Sequence, residues 1–398
     1  MKRPRILFLT EGKKSPSTRF AVSSYLPYLE KKGIHCSVSH RIPEKYALIH
    51  LPWINYRICR ILVYSLFAYP LSVILRLITL LKVSRYDIVF LQRDLDENHT
   101  SAWLEGWFRR YARCLVFYFD DALWLYRNHL GNCIGPKIEE IIRMSDWVIV
   151  SHQYLADYAR RLNESVMILP MSIDTRWYTM KSDMRHLSTG SSTKSEKDQD
   201  SSAAVFEESK INGHQNKRRI TLGWSGGPWN YPELMALVNI LEQVKRETGV
   251  EILIQSGEPP PTEIREIGVV YVKWQKETEV KILQRMDIAL CPLGDSPWTR
   301  GKFSIKLLQY MACGIPVICS DVGVNPEIII NGRVGFVVKT EDEWRSRILT
   351  LIHDREKREK MGRAARQRAV AEYSLEKNSD RLVDFFLSLR CSNRVSEY

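Results

Sequence analysis

The sequence lacks the patterns of membrane-spanning, disulfide-bonded and secreted proteins. Its longest apolar run, 61–75, falls short of the roughly twenty residues that a membrane-spanning helix needs, and Pro70 interrupts it. None of the eight cysteines forms C-x-x-C, so we expect buried, reduced thiols in a cytoplasmic protein. The first basic residues precede only about four apolar ones, which predicts a strand there and no signal peptide.

Signatures of dinucleotide and nucleic-acid binding are absent as well. The loop at 11–17 is not G-x-G-x-x-G, so it carries no dinucleotide fingerprint. The net charge is +12, and most of it lies before residue 180, yet no motif that reads a nucleic-acid groove accompanies it. A basic first half suits a phosphorylated substrate or an anionic lipid surface, and the alternative is a generic basic surface. We therefore expect no nucleic-acid partner.

What is present is an α/β pattern. Short apolar runs alternate with helical segments along the chain, and the first three predicted elements are a strand at 5–10, a helix at 18–32 and a strand at 34–38. Strands that alternate with helices in this way are typical of βαβ units. We therefore predict parallel sheets.

The chain is long enough for two domains, and its composition divides it. We predict an N-terminal domain over 1–180 and a C-terminal domain over 218–373. The segment between them, 181–217, is polar and almost without apolar residues, so it cannot bury enough surface to offset chain entropy, and we expect a disordered insertion. A C-terminal helix is predicted within 374–398.

The most informative stretch, 295–338, predicts an anion site. Arg300, Lys302 and Lys306 bring three cations to the start of an apolar helix predicted over 303–313. Positive charge concentrated in this way suits a phosphate group.

The second half of this stretch leads a predicted strand, 315–319, into a helix. The loop between them contains Gly323. Asn325 suits an N-cap and Glu327 suits the positive end of the helix dipole. Free backbone N–H groups at such a junction favour an anion, which supports the same prediction.

These residues resemble a known enzyme family. The segment KLLQYMACGIPVICSDVGVNPEII is similar to the donor-nucleotide segment of the retaining GT-B glycosyltransferases of family 4 (glycosyl transferases group 1), and GRVGFVV and MGRAARQRAVAEYSLEK follow in the family's order. The resemblance implies an α/β GT-B fold, with two Rossmann-like parallel-sheet domains facing a cleft and the C-terminal helix crossing back to the first domain. It also implies retaining transfer from a nucleotide-diphosphate sugar, without a metal or another cofactor.

The sequence departs from the family pattern at two places. The family has two Glu residues separated by seven others, where this chain has Gly301 and Gln309. The family also has Arg and Lys after the strand predicted here at 219–224, where this chain has Gly226 and Gly227. The resemblance, carried over to matching positions, implies these donor-binding residues: Gly226, Gly227, Arg300, Lys302, Lys306, Gln309, Gly323, Asn325 and Glu327. We expect Lys302 and Lys306 to bind the diphosphate, Lys306 to be catalytic and Gln309 to reach the ribose.

Asp120 and Asp121 are the candidate acceptor-binding carboxylates. They follow a strand predicted over 114–119, and open α/β sheets bind ligands at the carboxyl ends of their strands. Asp121 is the candidate for orienting the acceptor hydroxyl or for acting as a base. The alternative is structural, with Asp121 capping the next helix and Asp120 pairing with an arginine. The oxygen ligands are too few to predict a metal site.

Arg19 is a third candidate contact for the acceptor or for a donor phosphate. In the GT-B fold that the resemblance implies, the loop after the first strand faces the cleft. The alternative is an ordinary surface arginine at the start of a helix.

The segment 57–85 is both apolar and basic. It predicts either a pair of buried helices broken at Pro70 or a segment that lies in a membrane interface with its basic residues near headgroups. The second possibility implies peripheral attachment to the inner face of the cell membrane.

Taken together, the residues and the resemblance predict a glycosyltransferase of cell-surface polysaccharide synthesis. Its partners are a nucleotide-diphosphate sugar as donor substrate and a glycan or lipid-linked saccharide as acceptor. The missing Glu pair favours an alternative, a protein of the same fold that binds a nucleotide sugar without transferring it. A third possibility is a GT-B enzyme of another reaction, such as a sugar-nucleotide epimerase.

Overall fold

The structure, a computed structural model, describes residues 3–13, 15–41, 69–96, 99–128, 131–180 and 219–389. The predicted disordered insertion at 181–217 lies outside the described residues, as does 57–68 of the predicted membrane-contact segment. None of the helices in the described ranges combines the length and apolar character that crossing a bilayer requires. Six described cysteines are free thiols, of which four are buried: Cys114, Cys291, Cys313 and Cys319.

The first domain is built on a six-stranded parallel sheet with the order β2-β1-β3-β4-β5-β6. Its strands are β1 Arg5–Thr10, β2 His35–His40, β3 Ile88–Gln92, β4 Leu115–Phe119, β5 Trp147–Val150 and β6 Val166–Ile168. The central strands β3 and β4 are buried along their whole length, because helices cover both faces of a parallel sheet.

Helices cover the two faces of this sheet. They are α1 Pro16–Thr18, α2 Leu26–Lys31, α3 Tyr69–Leu80, α4 Trp103–Tyr111, α5 Gly135–Met144 and α6 Gln153–Arg160. The single helix predicted over 18–32 is wrong. The chain passes from α1 through a π-helical turn, Arg19–Ser23, into α2, which begins next to Pro27. Proline lacks the N–H that a continuous helix needs at this position.

The second domain repeats the architecture with the strand order β12-β11-β10-β7-β8-β9. Its strands are β7 Thr221–Ser225, β8 Glu251–Ser256, β9 Val270–Lys273, β10 Ile288–Cys291, β11 Val317–Ser320 and β12 Gly335–Val338. Its helices are α7 Tyr231–Met235, α8 Val238–Thr248, α9 Thr262–Glu266, α10 Glu279–Leu283, α11 Pro297–Arg300, α12 Ile305–Ala312, α13 Asn325–Ile328, α14 Glu341–His353 and α15 Arg355–Tyr373. Two parallel sheets of this kind confirm the predicted α/β architecture.

The last helix, α16 Leu375–Ser388, returns to the first domain as predicted. The ring of Phe386 lies 6.4 Å from that of Phe8 and 6.2 Å from that of Phe90, and Phe385 lies 5.3 Å from Trp147. These aromatic contacts make α16 part of the apolar core beneath β1, β3 and β5. The chain therefore ends with a helix that follows the second domain in sequence and packs in the core of the first.

Candidate active site at the domain interface

Three carboxylates surround one arginine at the carboxyl end of the first sheet. Arg93 directly follows β3 and has a φ of 58°, a conformation uncommon outside glycine. Its guanidinium lies 3.3 Å from Glu11 and 3.6 Å from Asp120, and it also donates a hydrogen bond to Asp121. Strained backbone persists only where surrounding contacts hold it, and these ion pairs supply that restraint.

The two aspartates that follow β4 have different environments. Asp120 is buried and accepts a hydrogen bond of 2.9 Å from Ser17. Burial and the neighbouring charge of Asp120 raise the pKa of Asp121 to about 6, although Arg93 and Lys302 act in the opposite direction. The arginine pairing that the sequence left open for Asp120 is thus observed, and Asp121 is the carboxyl group that titrates near neutral pH.

The domains touch immediately beyond Asp121. A Cβ atom built on Gly301 would lie 2.4 Å from the Cβ of Ala122 and 3.1 Å from its backbone nitrogen. Only glycine fits at this distance, so a Glu at the family's first position has no room in this arrangement. His152, at the end of β5, also reaches across and lies 3.4 Å from the carbonyl oxygen of Arg300. Burial lowers the pKa of His152 to about 4, so its ring is neutral at pH 7.

One lysine of the second domain, Lys302, lies near Asp121, and a second, Lys306, lies near Lys302. Lys302 donates a hydrogen bond of 2.8 Å to the side-chain oxygen of Asn230. Its positive charge acts to lower the pKa of both Asp121 and Lys306. Burial lowers the pKa of Lys306, whose ammonium group lies 4.8 Å from the centroid of the Trp224 ring. Within the described ranges Lys306 has no hydrogen-bond or ion-pair partner. It is therefore a cation that remains available to an anionic ligand.

The glycines after β7 lie close to aromatic rings. A Cβ on Gly226 would lie 2.6 Å from the ring of Trp224, and one on Gly227 would lie 2.4 Å from the ring of Trp229. Lys306 would also lie 3.2 Å from a Cβ on Gly226, so this turn and that lysine are neighbours. Trp229 is 74% exposed beside the turn. Sequence reasoning did not single out Trp229, which stands two residues after Gly227.

Gln309 lies in a buried network that joins the two domains. Its amide nitrogen donates to the hydroxyl of Tyr178 at 2.9 Å and to Glu279 at 3.0 Å. Glu279 also accepts from Tyr178 at 2.6 Å, from Trp274 at 2.9 Å and from Arg19 at 3.4 Å. The amide N–H groups of Gln309 are therefore directed at Tyr178 and Glu279, and Arg19 forms an ion pair with the second domain.

The remaining predicted donor residues are placed differently. Arg300 forms a bidentate ion pair with Asp295 on the surface. Gly323 has a φ of 57° and packs against the carbonyl oxygens of residues 299 and 300. The prediction that Asn325 is an N-cap is wrong, because α13 begins at Asn325 itself, and its buried amide donates to the carbonyl of Ser320. Glu327 is exposed in the first turn of α13.

The structure thus places Asp121 beside Asp120 and near Lys302, and it places Lys306 near Lys302 and beside Gly226. Arg19 and Gln309 belong to the neighbouring network around Glu279, while Arg300 points to the surface. Sequence reasoning missed Arg93 and Glu279 as organising residues. A charged residue directly after a buried strand signalled Arg93, whereas no local pattern distinguished Glu279.

Comparison with known families finds one family model that matches part of the chain. Residues 265–368, which include the Gly301–Gln309 segment, match the family model described as "Glycosyl transferases group 1". Spore coat protein SA of Bacillus subtilis is 26% identical over 122 residues, which is 30% of this chain and 31% of that protein. The chain therefore matches less than a third of the length of this relative.

Solved structures match nearly the whole chain at low identity. HepE of Anabaena, in complex with UDP and glucose, superposes with a TM-score of 0.62 at 15% identity, covering 97% of this chain and all of that one. Sucrose-phosphate synthase of Thermosynechococcus elongatus gives a TM-score of 0.68 at 14% identity, covering 97% and 98%. At these identities the likeness establishes the fold. The chain therefore has the two-domain GT-B fold, and its residues 265–368 are similar to glycosyl transferases group 1.

Proposed function

We propose that the protein transfers a sugar from a nucleotide-diphosphate sugar to a hydroxyl group of a glycan or lipid-linked saccharide. The observation that carries this proposal is the apposition of two kinds of group at the domain interface. Asp121 of the first domain lies near Lys302 of the second, and Lys302 in turn lies near Lys306. Sugar transfer needs a carboxylate that binds the acceptor hydroxyl and cations that bind the diphosphate of the donor.

The donor site is proposed around Lys306 and the turn at Gly226. Transfer breaks the bond between the sugar's anomeric carbon and a diphosphate oxygen, so negative charge grows on that oxygen. A half-buried ammonium group with no partner among the described residues stabilises such charge more than an exposed one, because little water competes. Lys302 adds a second cation. HepE binds UDP and glucose, which supports a nucleoside diphosphate as the leaving group here.

The acceptor site is proposed at Asp121. At pH 7 its carboxyl group is mostly ionised, since its pKa is about 6, and an ionised carboxylate accepts a hydrogen bond from an acceptor hydroxyl. Arg93 keeps the carboxylate fixed, and this limits the orientations that the hydroxyl can adopt. We further propose that transfer retains the anomeric configuration without a metal, in the synthesis of a cell-surface polysaccharide at the cytoplasmic face of the membrane.

The experiment is an assay of donor hydrolysis and transfer with a panel of nucleotide sugars. We expect turnover with at least one donor, and we expect Lys306→Ala to reduce kcat by about a hundredfold or more, the loss typical of removing one charge-stabilising group. Lys360→Ala, at an exposed lysine in the first half of α15, serves as the matched control and should retain normal activity. Near-normal transfer by Lys306→Ala would refute the assignment.

The alternative, a binding protein without turnover, is favoured by one observation. Neither position of the family's Glu pair offers a carboxylate, and Gln309 directs its amide N–H groups into the network around Glu279. Thermal stabilisation by a nucleoside diphosphate, together with no hydrolysis or transfer from any donor in the panel, would support this alternative. The two functions are therefore separated by a single set of measurements.

A further inference from the structure

The first domain exposes apolar side chains on two adjacent helices. On α3 the exposed residues are Ile74, Leu77 and Ile78, and Leu81 follows the helix with 81% of its surface exposed. Their spacing of three and four residues puts them on one face. Ser72 and Arg76 lie on the opposite, buried face of α3. The exposed face is therefore a continuous apolar stripe without a partner in the described ranges.

Helix α4, which contacts α3, also exposes aromatic residues. Trp103, Trp107 and Tyr111 recur every four residues and are exposed, and the rings of the last two are stacked 6.3 Å apart. Asp96 ties the two helices together, because it accepts hydrogen bonds from Tyr69 at the start of α3 and from Trp103 at the start of α4. We name the exposed faces of α3 and α4 the apolar patch.

Two exposed basic residues border the apolar patch at the end of α3. Lys82 and Arg85 follow α3, are exposed, and have no ion-pair partner in the described ranges. Residues 69–85 contain no Asp or Glu. The only acidic residue of α4, Glu105, is buried and pairs with Lys137. No exposed carboxylate of either helix therefore offsets this positive charge.

We infer that the apolar patch binds the surface of an anionic lipid bilayer. An amphipathic surface of aliphatic and aromatic side chains with basic residues at its edge matches the interface between acyl chains and headgroups, where tryptophan and tyrosine are favoured. Phosphate groups of the lipid complement Lys82 and Arg85. A second copy of the chain would bring these like charges together, so the charges favour the bilayer. This inference does not depend on the proposed sugar transfer.

The test is sedimentation of the full chain with lipid vesicles. We expect binding to phosphatidylcholine vesicles that contain phosphatidylglycerol and little binding to phosphatidylcholine alone. The variant Lys82→Gln with Arg85→Gln should lose about fivefold in affinity for each charge removed. The matched control, Lys360→Gln with Arg363→Gln on α15 of the second domain, should bind normally.

A second pair of variants tests the apolar contact. Trp107 and Trp177 are exposed to similar degrees, 47% and 50%, but only Trp107 belongs to the apolar patch. Trp107→Ala should weaken vesicle binding roughly tenfold, and Trp177→Ala should leave it unchanged. Binding that ignores phosphatidylglycerol, or equal binding by both tryptophan variants, would overturn the inference. A dimer that forms without lipid and that dissociates in the Trp107→Ala variant would also overturn the inference. Thermal stabilisation by UDP, measured on the same variants, reports the donor site separately.

Discussion

Restoring the family's first Glu at position 301 should damage the protein. A Cβ on Gly301 lies 2.4 Å from that of Ala122, whereas ordinary contacts begin at 3.4 Å, so the two domains must separate by about 1 Å at this point. Overpacking of this size costs about 1–3 kcal/mol, which is about 5- to 150-fold in the population of the closed arrangement. A displacement of about 1 Å between catalytic groups costs a similar factor in rate.

The assay compares kcat, KM and thermal unfolding across a small set of variants. We expect Gly301→Ala to lower kcat/KM and Gly301→Glu to lower it further, because Glu adds a longer side chain to the same contact. Ala122→Gly should partly rescue Gly301→Ala by removing the nearest atom, while the backbone nitrogen at 3.1 Å keeps the rescue incomplete. Gly257→Ala is the matched control, since a Cβ there meets nothing within 4 Å. A Gly301→Glu variant more active than the parent would refute the reasoning.

Three further predictions concern charges at the interface. The pKa of Asp121, raised to about 6, should appear as a rise in kcat/KM as pH increases through about 6, and Asp121→Asn should abolish that inflection. Arg93→Met should cost about 3–5 kcal/mol in urea unfolding at pH 7, because it leaves buried carboxylates without their counter-charge, and a cost below 1 kcal/mol would contradict this. Burial lowers the pKa of His152 to about 4, so the unfolded chain binds a proton at this residue more readily than the folded one. The free energy of unfolding therefore falls as pH drops from about 6.5 to 4. His152→Gln should remove this part of the pH dependence.

The central strands of both sheets were predictable from the sequence. Buried parallel strands are covered on both faces, so each forms a short apolar run that is recognisable without knowledge of its neighbours. The segment predicted as a strand over 114–119 is β4, and that predicted over 219–224 overlaps β7 with a shift at its ends. Ends shift because strand ends depend on pairing with neighbouring strands, which a single sequence does not contain.

The local predictions that failed involve competition between nearby signals. Residues 18–32 have helical spacing, but Pro27 and the turn before it break the helix. Asn325 has the composition of an N-cap, yet burial makes its amide bond to Ser320, and Val324 occupies the cap. In both cases tertiary packing outweighed the local preference, and packing is not readable from spacing.

The candidate site was predictable in its cations and carboxylates but not in its arrangement. Asp121 and Lys306 are recognisable in the sequence because charged residues are uncommon next to buried strands and helices unless they have a structural or functional role. The roles of Arg93 and Glu279 depend on partners far away in sequence, such as Asp121 for the first and Arg19 for the second. Only the folded chain brings those partners together.

Both departures from the family's Glu pair lie where the two domains are in contact. At Gly301, Ala122 of the first domain occupies the space of a side chain. At Gln309 an amide completes a network that includes Arg19 of the first domain through Glu279. A second carboxylate at 309 would lie about 3 Å from that of Glu279, and like charges at that distance resist joint ionisation. Both substitutions therefore fit the contact between domains. The contact between the domains thus explains the missing carboxylates, and the assay with a panel of nucleotide sugars tests whether sugar transfer is retained.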